Sequence, residues 1–288
     1  MSERKALFFV ILSALLWSTS FPAVKVGLVY LNPLWFIFFR FFTGTLIYLL
    51  LFYALKMKFD LSIFREKKIY IISILVFLSY VLQFYGQKFT LASRTALIIN
   101  LYILWVPFLA RYVLDERVTK SLGLAILLAL SGMVLLVTKG DFKIFMYSRV
   151  FIGDIIVFIA SLTWAFYIVL GKDLLKKYNV HEFNIVTFGF TALLSIPFLF
   201  FTPLTLPQNT ISILVIIHLA LFCTVLAYFF YTMGLKHAGA IKTSIFVVLE
   251  VFFTFLISWL FLNETWNKIE LAGGILVIVS IVLVLRES

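Results

Sequence analysis

Four ionisable side chains, Arg40, Asp154, His218 and Glu250, stand inside otherwise apolar runs of the sequence. An ionisable group within hydrocarbon costs upward of about 2.5 kcal/mol and is kept where it faces the protein interior or a wet cavity, so these four are the first site candidates. Glu250 falls near the middle of its run and shares a helical face with Thr243 and Thr254 at i, i+7 and i+11 spacing. A carboxyl group there suits proton coupling; its plainer use is to hold one helix against a neighbour. Arg40, with Thr43 one turn on, offers a planar guanidinium that can grip a carboxylate through two parallel bonds. Two alternatives stand beside that, snorkelling toward the near helix end and pairing with Glu250. Asp154 is close enough to the start of its run for helix N-terminal charge complementation to explain it. His218 falls off the face marked by Thr224, Tyr228 and Tyr231, and both residues read as structural.

Aromatic and amide groups supply a candidate wall around these charges. Trp17 has Ser13 and Ser20 on its helical face, and Trp164 has Ser161; Asn100, Tyr102, Tyr80 and Tyr167 add hydrogen-bonding capacity. Against this stands the composition, since aromatics make up 18% of the chain and most must face lipid or pack. Pro22 and Pro107 each remove an intrahelical hydrogen bond and are candidate hinges, or kinks that packing tolerates. Glu116 and Glu264 precede Lys120 and Lys268 by one turn and read as helix-end salt bridges and caps.

The elements that position these residues are long apolar segments. At 64% hydrophobic, 13% charged and mean hydropathy +1.12 over 288 residues, the chain lies far from soluble composition. Apolar windows and their polar breaks predict ten helical spans, at about 6–29, 33–55, 69–87, 92–114, 121–138, 151–171, 182–203, 211–235, 240–262 and 269–286. Runs such as Leu122 to Val137 lack the period-2 alternation of a transmembrane β-barrel. The positive N-terminal residues and the run from Ala6 lack a small-residue cleavage pattern, so the first span is expected to be retained. One set of alternate loops carries more than twice the Lys and Arg of the other, which places both termini in the cytoplasm and accounts for the net charge of +11 without nucleic acid.

Sliding the sequence against itself by 147–148 residues brings punctuating positions into register. Trp17 and Lys25 meet Trp164 and Lys172; Lys88, Thr95, Leu114, Glu116 and Lys120 meet Lys236, Thr243, Leu262, Glu264 and Lys268. Five spans per unit is an odd number, so two five-helix units, 1–139 and 150–288, are expected to enter the membrane in opposite orientations around a central cavity. Inverted units of this kind let a central site face either side of a membrane and point to a secondary transporter.

The stretch Ala14-Leu-Leu-Trp17-Ser-Thr-Ser-Phe-Pro22, its partner Ser161-Leu-Thr-Trp164-Ala-Phe-Tyr167, the Leu249-Glu250 and Leu262-Asn-Glu264 pair, and Leu114-Asp-Glu116-Arg resemble the EamA family of the drug/metabolite transporter superfamily over essentially the whole chain. The resemblance departs at Val251, where members often carry proline. It implies ten helices, a central cavity, a cell-membrane location and export or exchange of amino acids or related metabolites. Nucleotide sugars and phosphorylated metabolites, also carried in the superfamily, would want several cavity cations where only Arg40 is visible. A passive channel-like facilitator should show rings of repeated polar groups, and only scattered ones are present.

Other classes find no support. The chain lacks HExxH, GxSxG and GxGD, and His181, His218 and His237 have no metal-ligand spacing, so neither an enzyme nor a metal or other cofactor is expected. No GxxxxGK[ST] loop is present to drive a pump. The single cysteine, Cys223, allows no intrachain disulfide. Gly273-Gly274 permits close helix packing, for which a homodimer seam is one use that the sequence leaves unassigned.

Overall fold

The computed structural model describes residues 1–141, 143, 148–262 and 267–286, with only the backbone of 148–150 and 258–262. Glu264, expected at a helix end, lies outside the described residues. Among them the structure is all helical, with ten helices long and apolar enough to cross a membrane: Glu3–Tyr30, Pro33–Ala54, Lys67–Phe89, Ala92–Val113, Lys120–Thr138, Phe151–Leu175, Val180–Leu199, Thr210–Ala238, Ala240–Ile257 and Lys268–Arg286. These are spans 1 to 10. The expected boundaries hold within about one turn; the largest departures are span 6, which continues to Leu175 and takes Lys172 into the helix, and span 7, which ends at Leu199 rather than 203.

The apparent loop cations at the repeated positions cap helices. Lys25 Nζ donates to the carbonyls of Gln87 and Thr90 at 2.8 and 2.7 Å, closing the end of span 3, and Lys172 Nζ donates to the Lys236 carbonyl at 2.7 Å, closing the end of span 8. A cation at a helix C-terminus meets carbonyls that have no intrahelical donor. The N-caps recur too. Asn32 accepts from the Leu34 N–H, and Asn179, 147 residues on, accepts from the His181 N–H in a capping box with Glu182.

Packing pairs one half of the chain with the other. Span 3 lies on span 6, span 1 on span 8, span 2 on span 7, and span 5 on span 10. Missing side chains set the closest approaches. A Cβ on Gly132 would stand 2.6 Å from the Gly273 carbonyl oxygen, so spans 5 and 10 touch backbone to backbone. That face of Gly273 is used within the chain and is not offered to a second copy.

Four spans are not continuous helices. Span 1 comprises α1 (Glu3–Ser18) and α2 (Ser20–Tyr30), divided at Thr19. The next two helices are unbroken: α3 (Pro33–Ala54) is span 2 and α4 (Lys67–Phe89) is span 3. Span 4 comprises α5 (Ala92–Ile99) and α6 (Tyr102–Val113), followed by α7 (Lys120–Thr138), α8 (Ser148–Leu175) and α9 (Val180–Leu199) as spans 5 to 7. In span 8, a π-helical turn at Leu221–Leu226 separates α10 (Thr210–Ala220) from α11 (Ala227–Ala238). Span 9 breaks at Val248 between α12 (Ala240–Val247) and α13 (Leu249–Leu262), and α14 (Lys268–Arg286) is span 10.

The interruptions of spans 4 and 9 fall at equivalent positions and share one bond. Ile103 N donates to Asn100 O at 3.1 Å, and Val251 N donates to Val248 O at 3.0 Å, both i→i−3 bonds and exactly 148 residues apart. Such a tightening of the helix in mid-span marks hinges and sites. Pro107 is not its cause, since it sits inside α6 several residues beyond the break and lines an outer groove with Phe108 and Leu127. Pro22 does belong to a break. Its missing N–H would have bonded Ser18 O, and that carbonyl accepts from Thr254 Oγ1 of span 9 at 3.3 Å instead.

Candidate functional site

A cavity of about 40 Å³ lies between the broken spans, lined by Trp17, Ser20, Phe21, Arg40, Tyr80, Gln83, Ile99, Tyr102, Trp164, Val247 and Glu250. It thus gathers six of the eight binding and coupling residues read from the sequence. Span by span, Ser20, Arg40, Gln83 and Ile99 lie toward the end remote from residues 3 and 286, while Trp17, Tyr102, Trp164 and Glu250 lie near mid-span and Val247 toward the termini, so the chamber is central with most of its polar groups displaced toward the remote end. It has room for a few waters and not for a metabolite, so loading a cargo requires spans to move.

Arg40 is 1% exposed and extends into the interior, not out along its helix. Its Nε donates to Thr224 Oγ1 at 2.9 Å, Nη2 to the Cys223 carbonyl at 3.2 Å and Nη1 to Ser20 Oγ at 3.4 Å, while the guanidinium carbon stands 4.8 Å from the Tyr80 ring centroid. Neither alternative from the sequence holds, because the group does not snorkel and forms no ion pair with Glu250 or any other described carboxylate. Its partners are neutral, so its positive charge is not cancelled. The π-helical turn of span 8 explains the carbonyl contact, since widening a helix there lets Cys223 O accept from outside. Trp17 Nε1 takes the same oxygen at 2.8 Å.

Glu250 is 5% exposed and sits in the first turn of α13, directly after the break. It accepts from Asn100 Nδ2 at 3.4 Å, and Asn100 is the residue at which span 4 breaks. Asn100 therefore does not line the chamber but ties the two interrupted spans together through Glu250. Tyr102 stands 148 residues before Glu250 and faces the chamber from the equivalent place on α6. The two tryptophans meet edge to face at 6.2 Å, and Tyr80 and Tyr228, also 148 apart, join hydroxyls at 2.9 Å. Tyr167 is outside the lining, packed on Trp164 at 4.7 Å.

The two tryptophans differ in one respect. Trp17 is held by Cys223 O, whereas the position equivalent to Cys223 is Leu75 in the unbroken α4, which offers no free carbonyl. Among the described residues no protein acceptor takes the Trp164 N–H, which leaves that donor to the chamber.

Asp154, His218 and Glu116, read from the sequence as structural, have partners the sequence did not name. Asp154 accepts from Arg94 in a buried ion pair and from Thr90 Oγ1 at 2.7 Å, so a cation and not only the helix terminus holds it. His218 Nε2 lies 2.9 Å from Thr19 Oγ1 at the span 1 break. Glu116 forms no ion pair with Lys120; it accepts from the N–H groups of Ala240 and Ile241 at 2.9 and 3.0 Å and caps the start of span 9. The groups missed in the sequence are Phe21, Gln83, Ile99 and Val247 in the lining, with Thr224 and Tyr228 behind it. The 148-residue spacing that joins Tyr80 to Tyr228 and Ile99 to Val247 was the available signal. Among the described residues no group of three His, Cys, Asp or Glu is placed to hold a metal.

A bundle of ten membrane helices with interrupted spans meeting at a small buried polar chamber defines a transporter. The EamA-like transporter family model matches the chain twice, at residues 4–138 and 151–286, and the chain belongs to that family. It is thus a multi-pass protein of the cell membrane that carries small molecules, and not an enzyme. It is 28% identical to an uncharacterized transporter of Archaeoglobus fulgidus over 98% of this chain and 97% of that one. It is also 32% identical to the uncharacterized transporter YyaM of Bacillus subtilis over 69% of this chain and 66% of the other. A crystal structure of a protein with 16% sequence identity superposes with TM-score 0.80 over 96% of this chain and 95% of that chain, which agrees in fold.

Proposed function

We propose that the chain is a secondary transporter of amino acids or closely related zwitterions, working by alternating access between two inverted five-helix repeats, 1–139 and 150–288, with both termini in the cytoplasm. The observation that carries this reading is the pair Arg40 and Glu250. Both are buried, both line one chamber, and neither forms an ion pair with the other or with any described residue. An uncompensated cation and a carboxyl group across a small chamber match the two ends of an α-amino acid. Trp17, Tyr80, Tyr102 and Trp164 form an apolar and aromatic wall that favours cargo with a partly apolar side chain. Asn100 and Tyr167 support that wall from behind, and Pro22 marks the hinge of span 1. Glu250 also serves as the coupling group, since a carboxyl that meets cargo and solvent in turn can exchange a proton with each.

Counterflow in proteoliposomes tests the reading. With unlabelled amino acids inside, a labelled one should accumulate transiently above equilibrium. Arg40→Ala should lower this at least tenfold for the amino acid and much less for its decarboxylated amine; equal losses would sink the carboxylate role. Glu250→Gln should flatten the pH dependence of net transport, and an unchanged profile would remove the coupling role.

A further inference from the structure

The polar groups of the chamber come mostly from one half of the chain, and their equivalents in the other half share a peculiarity. At the spacings set by the paired tryptophans, the paired N-cap asparagines and the paired breaks, Ser20 corresponds to Tyr167, Arg40 to Thr187, Gln83 to Tyr231 and Glu250 to Tyr102. Tyr102, Tyr167, Thr187 and Tyr231 are at most 2% exposed, and the hydroxyl oxygen of every one lacks a protein hydrogen-bond partner. Thr243, one turn before the span 9 break, carries a further unpartnered buried hydroxyl. Burying an unsatisfied hydroxyl costs about 1–3 kcal/mol, so a stable fold seldom collects several in one region without a use for them.

Three of the four also share a place. Thr187, Tyr231 and Tyr167 lie toward the ends of spans 7, 8 and 6 on the side of residues 3 and 286, opposite most of the chamber's polar groups, and Tyr102 stands at the span 4 break between the two. The Tyr167 and Tyr231 rings stack at 6.3 Å, and Tyr231 lies 5.0 Å from Trp17, which lines the chamber with Trp164.

We infer that these hydroxyls are the wall of a second chamber, closed in this conformation, that opens toward the termini when the two halves exchange their arrangements. The inference rests on the inverted-repeat reading above. The second chamber shares Trp17, Tyr102 and Trp164 with the first and differs in chemistry. Where the first presents Arg40 and Glu250, the second presents Thr187 and Tyr102, so cargo on the termini side is held by neutral hydroxyls. The same zwitterionic cargo therefore binds tightly on the remote side, against charges, and is released on the side of the termini.

Substituted cysteines test the geometry without knowledge of the cargo. In sealed vesicles of either orientation, with sidedness assigned by protease access to a C-terminal tag, an impermeant thiol reagent is applied to Gln83→Cys, Thr187→Cys and Tyr231→Cys. Labelling is read above the wild-type background of buried Cys223. Gln83→Cys should label from the remote side, and Thr187→Cys and Tyr231→Cys from the termini side. Labelling of the latter two from neither side, or from the remote side, overturns the inference. Should those variants not fold, Tyr231→Phe removes one oxygen only. It should leave the thermal midpoint unchanged or raise it, while slowing exchange at least threefold; unimpaired exchange counts against the second chamber. The half-saturating concentration of cargo should be at least tenfold higher from the termini side, and equal values overturn its uncharged character. Two-sided labelling with no counterflow of amino acids would sink the cargo assignment alone, and counterflow with no labelling from the termini side would sink this inference alone.

Discussion

At the end of the bundle remote from the termini, Arg94 in α5 meets Asp154 near the start of span 6, with side chains 1% and 10% exposed and the Thr90 hydroxyl adding a bond to the same carboxylate. At the opposite end Lys242, 148 residues after Arg94, meets Glu3 near the start of span 1, with side chains 17% and 36% exposed. Both pairs fasten the first half-helix of a broken span to a partner from the other half of the chain. The acid sits one turn earlier in span 1 than in span 6, because the position equivalent to Asp154 is Leu7. That single turn moves the second pair toward solvent. Two latches of the same design thus differ in strength, and the stronger closes the end toward which most of the chamber's polar groups lie.

The sharpest way to break this comparison is to remove one acid from each latch. Asp154→Asn removes the carboxylate facing a fully buried guanidinium and should cost about 3 kcal/mol, seen as a fall of many degrees in the thermal midpoint in detergent. Glu3→Gln should cost under about 1 kcal/mol, since solvent screens the pair. Equal losses would mean the two ends are equally sealed.

A smaller effect separates span 1 from span 6. Span 1 breaks at Thr19 and span 6 does not, because only the former carries a proline, Pro22, whose equivalent is Val169. Thr254→Val deprives the Ser18 carbonyl of its donor and should cost about 1 kcal/mol. Pro22→Ala restores an N–H to that carbonyl, so Thr254→Val in that background should be nearly neutral. A double-mutant cycle on thermal midpoints reads the difference, and additive losses would show that the proline does not explain the bond.

The smallest effect lies in the termini-side loops, where a further pair adds to the weaker latch. Glu66 Oε1 accepts from Lys177 Nζ at 2.5 Å, which holds the Glu66 carboxyl below the usual carboxylate range. A depressed folded-state value contributes stability that is present above the ordinary carboxylate range and lost as pH falls through the folded value. Glu66→Gln should therefore lower the thermal midpoint slightly at neutral pH and not at all in strong acid. A loss that persists at low pH would assign the effect to something other than the charge.

Much of the fold was legible in the sequence because a membrane demands long apolar runs, and ten of them are hard to miss. The repeat was legible for a different reason, that Trp17 and Trp164, or Lys25 and Lys172, seldom align by chance. The breaks at Asn100 and Val248 were not legible. They are made by short-range turns at one residue, Asn100, that stands in an otherwise apolar run and at another, Val248, that does not ordinarily end a helix, whereas Pro107, the conspicuous breaker, sits in an intact helix. Arg40 and Glu250 could be picked as candidates, but not their relation. Whether two buried charges pair or stand apart depends on where spans 2 and 9 are held, and that is decided by Thr224, Cys223 and Asn100 from other spans. Glu116 shows the same limit. Its neighbour in sequence, Lys120, was the expected partner, yet unsatisfied N–H groups at the start of span 9 are the stronger demand on a carboxylate.

The sequence by itself determined that the chain crosses a membrane ten times, that its halves are related, and which few polar residues are placed at membrane depth, because hydrophobic length, spacing and the cost of buried charge are properties of a single strand of text. Only the tertiary structure decided that Arg40 and Glu250 share a chamber unpaired, that spans 4 and 9 break at equivalent places, and that three partnerless hydroxyls lie opposite them with a fourth, on Tyr102, beside the chamber. Those facts depend on which helices touch, and contact between segments far apart in the chain is set by packing of the whole bundle.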